Sequence, residues 1–211
     1  MIALTVSDMM EADDICLRIS DIVDKSRTGA PDAIAVRNDS FSEEPFCSVV
    51  QLVSRIWTGD MVLESNHPDN ISKALVHIMD RKPVLIGADA NNLDGFAMTA
   101  KLFNCPLCVS SEGLEELFEL VRRARESGVE SIVLDPMMRN MKQCLETCTD
   151  IKRLSEIIPE AGYPIAVRTW SGEYAMTMAT VSLLIDDAVV VADDLDADSC
   201  ETLSVLMRSI R

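Results

Sequence analysis

The amino-acid sequence predicts an α/β protein built as a single (β/α)8 TIM barrel. Two observations carry that prediction. Eight short β-like runs, most of them continuously apolar rather than alternating, begin 22 to 33 residues apart, as strands buried on both faces of a parallel sheet do. Between them lie one-sided helical patterns on connections too long for hairpins, so each strand is followed by a helix that carries the chain back to the same edge. Eight such units in 211 residues fit a closed barrel near the short end of its range. The rival, an open doubly wound sheet, normally has fewer strands and a glycine-rich first turn, and "VSDMMEADD" after the first run contains no glycine.

The elements follow in order. IALTV (2–6) opens the chain, and "DDICLRISDIVDKSRTG" places Ile15, Ile19, Ile22 and Val23 on one helical face, with Asp13 or Asp14 as N-cap and Gly29 near the stop. AIAV (33–36) is the second strand. The stretch "RNDSFSEEPFCSVV" behind it reads as an irregular loop over one end of the barrel. MVLES (61–65), PVLIGA (83–88) and PLCVS (106–110) supply strands three to five. In "SEGLEELFELVRRARESG" the stripe Leu114, Leu117, Phe118, Val121 and Ala124 is one-sided, its basic residues gather late and Gly128 ends it. SIVLD (131–135), PIAVR (164–168) and AVVVA (188–192) complete the set, and the last helix aligns Cys200, Leu203, Leu206, Met207 and Ile210.

Composition narrows the function. With 35 acids against 19 bases, the formal charge of −16 repels phosphate backbones and argues against a nucleic-acid partner. No run approaches the roughly 20 apolar residues that span a bilayer, and the first residues lack a signal-peptide layout, so no membrane role is expected and the chain reads as cytoplasmic. Seven cysteines, an odd number, argue against a disulfide framework. Cys105 and Cys108 resemble a metal motif. They straddle a predicted strand, however, where residues three apart point to opposite faces, so buried free thiols and no metal site are the expectation.

In a barrel of this kind the site lies at the carboxyl ends of the strands. Those ends carry Asp8, then Arg37, Asn38 and Asp39, then Glu64, Ser65, Asn66 and His67, then Asp89, Asn91 and Asn92. Ser110 and Ser111, Asp135, Arg168, Thr169 and Trp170, and Asp193 and Asp194 follow. A mouth so rich in acids and amides suits a planar heterocycle that exchanges paired donors and acceptors better than it suits phosphate. Many such residues merely cap helices. Asp135 differs, because Pro136 removes the next amide and biases Asp135 towards extended backbone, holding its carboxylate at the strand end. His67 has the chemistry of an acid or base but no identified partner, and His77 falls inside a helix. No Ser-His-Asp arrangement, nucleophile elbow or P-loop is present.

The motifs "RKPVLIGA" leading to Asn92, "NCPL", "LEEL", "GVESIVLDP", and "IKRLSEI" leading to "GYPIAV" keep their order over residues 60–192. This stretch resembles the barrel of the corrinoid iron–sulfur protein large subunit, the gamma subunit of the acetyl-CoA decarbonylase/synthase complex in the CO dehydrogenase/acetyl-CoA synthase system. Barrels of that family are similar to pterin-dependent methyltransferases, in which an Asp-Pro and neighbouring asparagines hold the pterin. The resemblance carries that role to Asp135 and Asn92. It departs at Met137, where the family has glycine, and at Ala90-Asn91, where it has Lys-Asp. The family's large subunit also has a four-cysteine iron–sulfur module and a cobalamin-binding domain, and neither signature occurs here, so 1–211 is expected to be the barrel alone.

Two readings follow from the resemblance. In the first, the barrel acts in methyl transfer between a tetrahydropterin and a corrinoid partner, with Asp135 and Asn92 orienting the ring and Asp39, Asn66, Asp89 and Arg168 completing the ligand shell. The corrinoid comes from the partner, and no cofactor is bound by this chain alone. In the second, a non-catalytic scaffold docks a homologous barrel subunit, or a second copy of itself as a homodimer, and positions a separate cobalamin domain.

Overall fold

A computed structural model of the chain describes residues 1–25, 31–169, 174–185, 188–193 and 196–210. Gly29, the expected end of the first helix, lies outside them. The elements alternate as β1 (Ile2–Ser7), α1 (Ala12–Lys25), β2 (Ala33–Arg37), α2 (Glu43–Ile56), β3 (Asp60–Glu64), α3 (Pro68–Val76), β4 (Val84–Ala88) and α4 (Leu93–Phe103). They continue as β5 (Leu107–Ser110), α5 (Leu114–Glu126), β6 (Ile132–Asp135), α6 (Met141–Leu154), β7 (Ala166–Thr169), α7 (Ala175–Ile185), β8 (Val189–Ala192) and α8 (Ala197–Ile210). All pairings are parallel in the order β6-β5-β4-β3-β2-β1-β8-β7. A bridge between Leu134 and Ile165, with the Leu134 N–H donating to the Pro164 carbonyl at 2.8 Å, brings β6 onto β7 and closes the ring. The chain is a single (β/α)8 TIM barrel.

Strand alternation sorts the side chains into two cores. Ile2, Leu4, Ile34, Leu63, Leu85 and Leu107 face outward under the helices, whose stripes, such as Leu117, Phe118 and Val121 of α5, cover them. Ala3, Ala33, Ala35, Val62, Ile86, Cys108 and Val133 face the barrel axis. The cysteines follow the same rule: all seven are free, and Cys105 packs with the outer core while Cys108 lies in the inner one. No helix of the described residues is long and apolar enough to cross a membrane.

One local expectation fails. The stretch read as an irregular loop after the second strand is half helix, because α2 begins at Glu43. Pro45 falls in the first turn, where its missing N–H is not needed, two acids complement the helix N-terminus, and Phe46, Val49, Val50 and Val53 form the buried stripe. The polar start of the segment hid that periodicity.

Backbone geometry at β4 decides how the mouth is aimed. Gly87 sits at φ +123°, the register with β5 shifts between Ile86 and Ala88, and a Cβ on Gly87 would lie 2.0 Å from the Ser65 carbonyl oxygen. The bulge turns Ala88 into the outer core and swings the following loop across the end of β3.

Candidate functional site at the barrel mouth

Continuing each inner row by one step of two residues gives Ser7, Arg37, Glu64, Ser110, Asp135, Arg168 and Asp193, an inner ring at the carboxyl ends of seven strands. Arg168 is its centre. Its guanidinium reaches Asp135 Oδ2 at 2.9 Å and Glu64 Oε1 at 3.1 Å. Asp135 is 2% exposed, accepts from the Ser110 hydroxyl at 3.0 Å through Oδ2 and from the Met137 N–H at 2.9 Å through Oδ1. Across the ring Arg37 donates to both oxygens of Asp193, at 2.9 and 3.1 Å, and pairs with Asp39 at 3.1 Å. Ser7 donates to Asp39 as well.

Met137 stands at φ +50°, in the left-handed region that favours glycine. The backbone conformation that glycine would adopt is thus kept with methionine in place, held by the Asp135 side chain accepting its N–H. The departure from the family pattern at this position leaves the Asp135 carboxylate anchored.

Next to the inner ring lies a second network that points between strands and helices. Asn38 donates to Asp8 at 2.7 Å, and its own carbonyl accepts from the Ser65 hydroxyl and from Asn70, both at 2.9 Å. Asp8, Asn38 and Ser65 are buried and hydrogen-bonded among themselves and with Ser40 and Asn70. They staple the ends of β1, β2 and β3 rather than line the mouth.

The residues expected to bind a ligand divide accordingly. Asp135 and Arg168 meet in the inner ring. Asp39 is exposed beside Arg37, at the β1–β2 side of the mouth. Asn92 accepts from the Asp89 N–H at 2.8 Å and donates to the Gly87 and Asn66 carbonyls at 2.9 and 3.1 Å, so its amide ties the β4 loop to the β3 loop. Asp89 accepts the Asn91 N–H at 2.8 Å, and Asn66 is exposed on the rim. His67 is exposed too, edge-on to Phe41 with ring centroids 6.2 Å apart. Trp170 and Asp194 lie outside the described residues. In the sequence Glu64, Arg37 and Asp193 stand out only as strand ends. The signal that promotes them is parity: each lies two residues beyond a small or β-branched inner residue, whereas Asn38, Ser65 and Asp8 lie one step out of phase.

The ring's charge is uneven, since Glu64 and Asp135 share one arginine. Burial raises the Glu64 carboxyl above its ordinary value, and Arg168 and Arg37 oppose that only in part. Arg168 is itself pulled down by burial, but Asp135 and Glu64 together outweigh this and hold it charged. The fold therefore holds the Glu64 proton more tightly than the unfolded chain does. Glu64's contribution to stability is full below its unfolded value of 4.5 and is lost as pH rises through its higher folded value. Glu64→Gln is expected to remove this loss, so that between about pH 5 and pH 8 the variant's melting temperature falls less than the wild type's. Parallel curves for the two proteins would contradict the assignment.

Four buried side-chain atoms have no protein hydrogen-bond partner among the described residues: Thr5 Oγ1, Arg18 Nε, Glu64 Oε2 and Arg168 Nε. Three of them, all but Arg18 Nε, belong to inner-facing residues of the barrel. Buried polar atoms ordinarily find a partner, so the ring keeps capacity for a group that brings both a donor and an acceptor.

The family model described as the CO dehydrogenase/acetyl-CoA synthase delta subunit matches residues 1–205. The chain is 34% identical over 175 residues to the corrinoid/iron–sulfur protein large subunit of Moorella thermoacetica, covering 80% of this chain and 39% of that one. It is 40% identical over 106 residues to the acetyl-CoA decarbonylase/synthase complex subunit gamma of Methanothermobacter thermautotrophicus, covering 50% of this chain and 23% of that one. The chain thus spans well under half the length of these relatives. Among solved structures, a dihydropteroate synthase from Coxiella burnetii in complex with pteroic acid superposes with a TM-score of 0.73 at 12% identity, covering 99% of this chain and 93% of that one. A likeness at that identity is one of fold.

Proposed function

Because this chain belongs to the CO dehydrogenase/acetyl-CoA synthase delta-subunit family, we propose that its mouth holds a tetrahydropterin-type ring during methyl transfer to a corrinoid carried by a partner subunit. A role in one-carbon methyl transfer within a multi-subunit system is the coarser statement, and the family supports it. The ring and the residues that hold it are the finer one.

The observation that carries the finer reading is the pair of unpartnered atoms in the inner ring, Glu64 Oε2 and Arg168 Nε, beside the buried Asp135. A carboxylate oxygen accepts and a guanidinium N–H donates, which matches a heterocycle edge that presents N–H beside C=O or ring nitrogen. Asp135 has spent three of its roughly four acceptor positions on Arg168, Ser110 and Met137, leaving one for a ligand N–H. Glu64, Arg168 and Asp135 would hold the ring, while Asn92 fixes the β3 and β4 loops around it and Asp39, Asn66 and Asp89 line the rim. When bound, such a group supplies a methyl on a ring nitrogen. The protein's residues bind and orient it.

A second reading is favoured by the self-pairing of the ring. Arg37 with Asp193, and Arg168 with Asp135 and Glu64, pair their charges without a ligand, as a scaffold barrel would require. Calorimetric titration with a methyl-tetrahydropterin separates the two. The ligand-binding reading expects heat for the wild type and at least a tenfold weaker affinity for Asp135→Asn, roughly the loss of one charge-assisted hydrogen bond. Absence of heat for the wild type, together with stable association with a corrinoid-bearing subunit, would leave the scaffold.

A further inference from the structure

The barrel is closed least firmly between β6 and β7. Every other pair of neighbouring strands matches three to five residues in register, whereas β6 and β7 share the single bridge between Leu134 and Ile165. Two prolines account for this. In a parallel ladder, alternate residues of a strand bond to opposite neighbours. The Ser131 and Asp135 carbonyls accept from Leu107 and Ser111 on the β5 side, so positions 132, 134 and 136 face β7. The Ile165 carbonyl accepts from Val189 of β8, so positions 164, 166 and 168 face β6. The Leu134 N–H accordingly donates to the Pro164 carbonyl. The next bond towards the mouth would need an N–H at position 136, donating to Ala166. The next towards the base would need one at position 164, donating to Ile132. Both positions are proline, which has no N–H, so Pro136 and Pro164 stop the ladder in both directions.

Above the bridge, side chains join the mouth end of the seam. Arg168 of β7 reaches Asp135 of β6 at 2.9 Å, while the Met137 N–H turns back to Asp135 instead of crossing to β7. Each strand is held on its other side, β6 by four register pairs with β5 and the Ser110 hydroxyl on Asp135, β7 by four pairs with β8. Outside the sheet α6 and α7 pack on each other, which keeps the two halves together at the wall while the strand ends can part at the mouth. We infer that the β6–β7 seam is a gate built into the barrel, opening by local loss of one bridge with the Asp135–Arg168 pair as its latch. Opening releases two opposite charges into the mouth together. Any ligand taken there competes with the latch, whatever that ligand is.

The test is native-state hydrogen exchange of the full chain, read residue by residue by NMR. Leu134, Ala35 and Val36 are equally buried in the sheet. The Leu134 amide should nevertheless exchange about tenfold faster than the other two and respond little to low denaturant, the mark of local opening. Two variants act in opposite directions. Asp135→Asn weakens the latch and should speed exchange at Leu134 by about tenfold, more than at Ala35. Pro164→Ala supplies the missing N–H and should slow exchange at Leu134 by about fivefold, the worth of one added hydrogen bond. Replacing a proline loosens the unfolded chain and so lowers global stability, which means that a slowing at Leu134 cannot come from general stabilisation. Should Asp135→Asn fold poorly, the wild type and Pro164→Ala decide. Leu134 exchanging at the rate and with the denaturant response of Ala35 in the wild type, or unslowed in folded Pro164→Ala, would overturn the gate.

Discussion

Arg168→Met is expected to lower the melting temperature by about 6–12 °C, the equivalent of about 3 kcal/mol for a chain of this size. Removing one partner of a buried ion pair typically costs about 3–5 kcal/mol, because the charges left behind stay out of water. The low end applies here, since the Arg168 side chain is 21% exposed and Glu64 keeps a neighbour in Arg37. Asp135 suffers more, at 2% side-chain exposure, keeping only the Ser110 hydroxyl and the Met137 N–H. The mechanism has a second signature. As pH falls and the Glu64 carboxyl, raised by burial, gains a proton, the difference from wild type should shrink, and the triple variant Arg168→Met/Asp135→Asn/Glu64→Gln should regain most of the loss. Thermal denaturation by circular dichroism measures all three. A single-variant loss below about 1 kcal/mol, the range of exposed pairs, would show that the ring is solvated and carries little structural weight.

Gly87→Ala is the other substitution with a large expected effect, about 3 kcal/mol or more of destabilisation. Two causes add. The added methyl would meet the Ser65 carbonyl oxygen at 2.0 Å, and that oxygen is backbone of a neighbouring strand end, which cannot swing aside as a flexible side chain would. The φ of +123° is also strained for any residue with a Cβ. Because the Gly87 carbonyl accepts from Asn92, whose amide also holds Asn66, the damage should spread to both loops at the β3 and β4 ends. Chemical denaturation should show a lower midpoint. Faster hydrogen exchange confined to residues near 65–66 and 87–92 would mark a variant that relieves the clash by opening those loops. A variant as stable as wild type would mean that the bulge is free to relax.

The sequence made the barrel legible because its evidence is local and repeated. All eight strands appear within about two residues of the apolar runs that announced them, and continuous runs such as IALTV and AVVVA report burial on both faces wherever they pair. Where a pattern was masked by polar residues, as at the start of α2, local reading failed. The candidate site was legible by level along the barrel axis but not by direction. Asp135, Arg168, Glu64 and Asn38 all end strands, yet one step of strand parity sends Asn38 into a network under the helices and Glu64 into the inner ring.

By itself, then, the sequence determined the parallel (β/α)8 architecture, the end of the barrel at which polar groups gather and, through Pro136, the strand-end placement of Asp135, since each depends on periodicity or on a fixed backbone torsion of a few residues. Only the tertiary structure decided which charges meet. Arg168 reaches Glu64 across 104 positions of sequence, Arg37 reaches Asp193 across 156, and Met138 meets Cys148 through the chain reversal between β6 and α6. Such contacts are fixed by how the ring closes and by the bulge at Gly87, and no local propensity encodes the distance between two side chains on different strands.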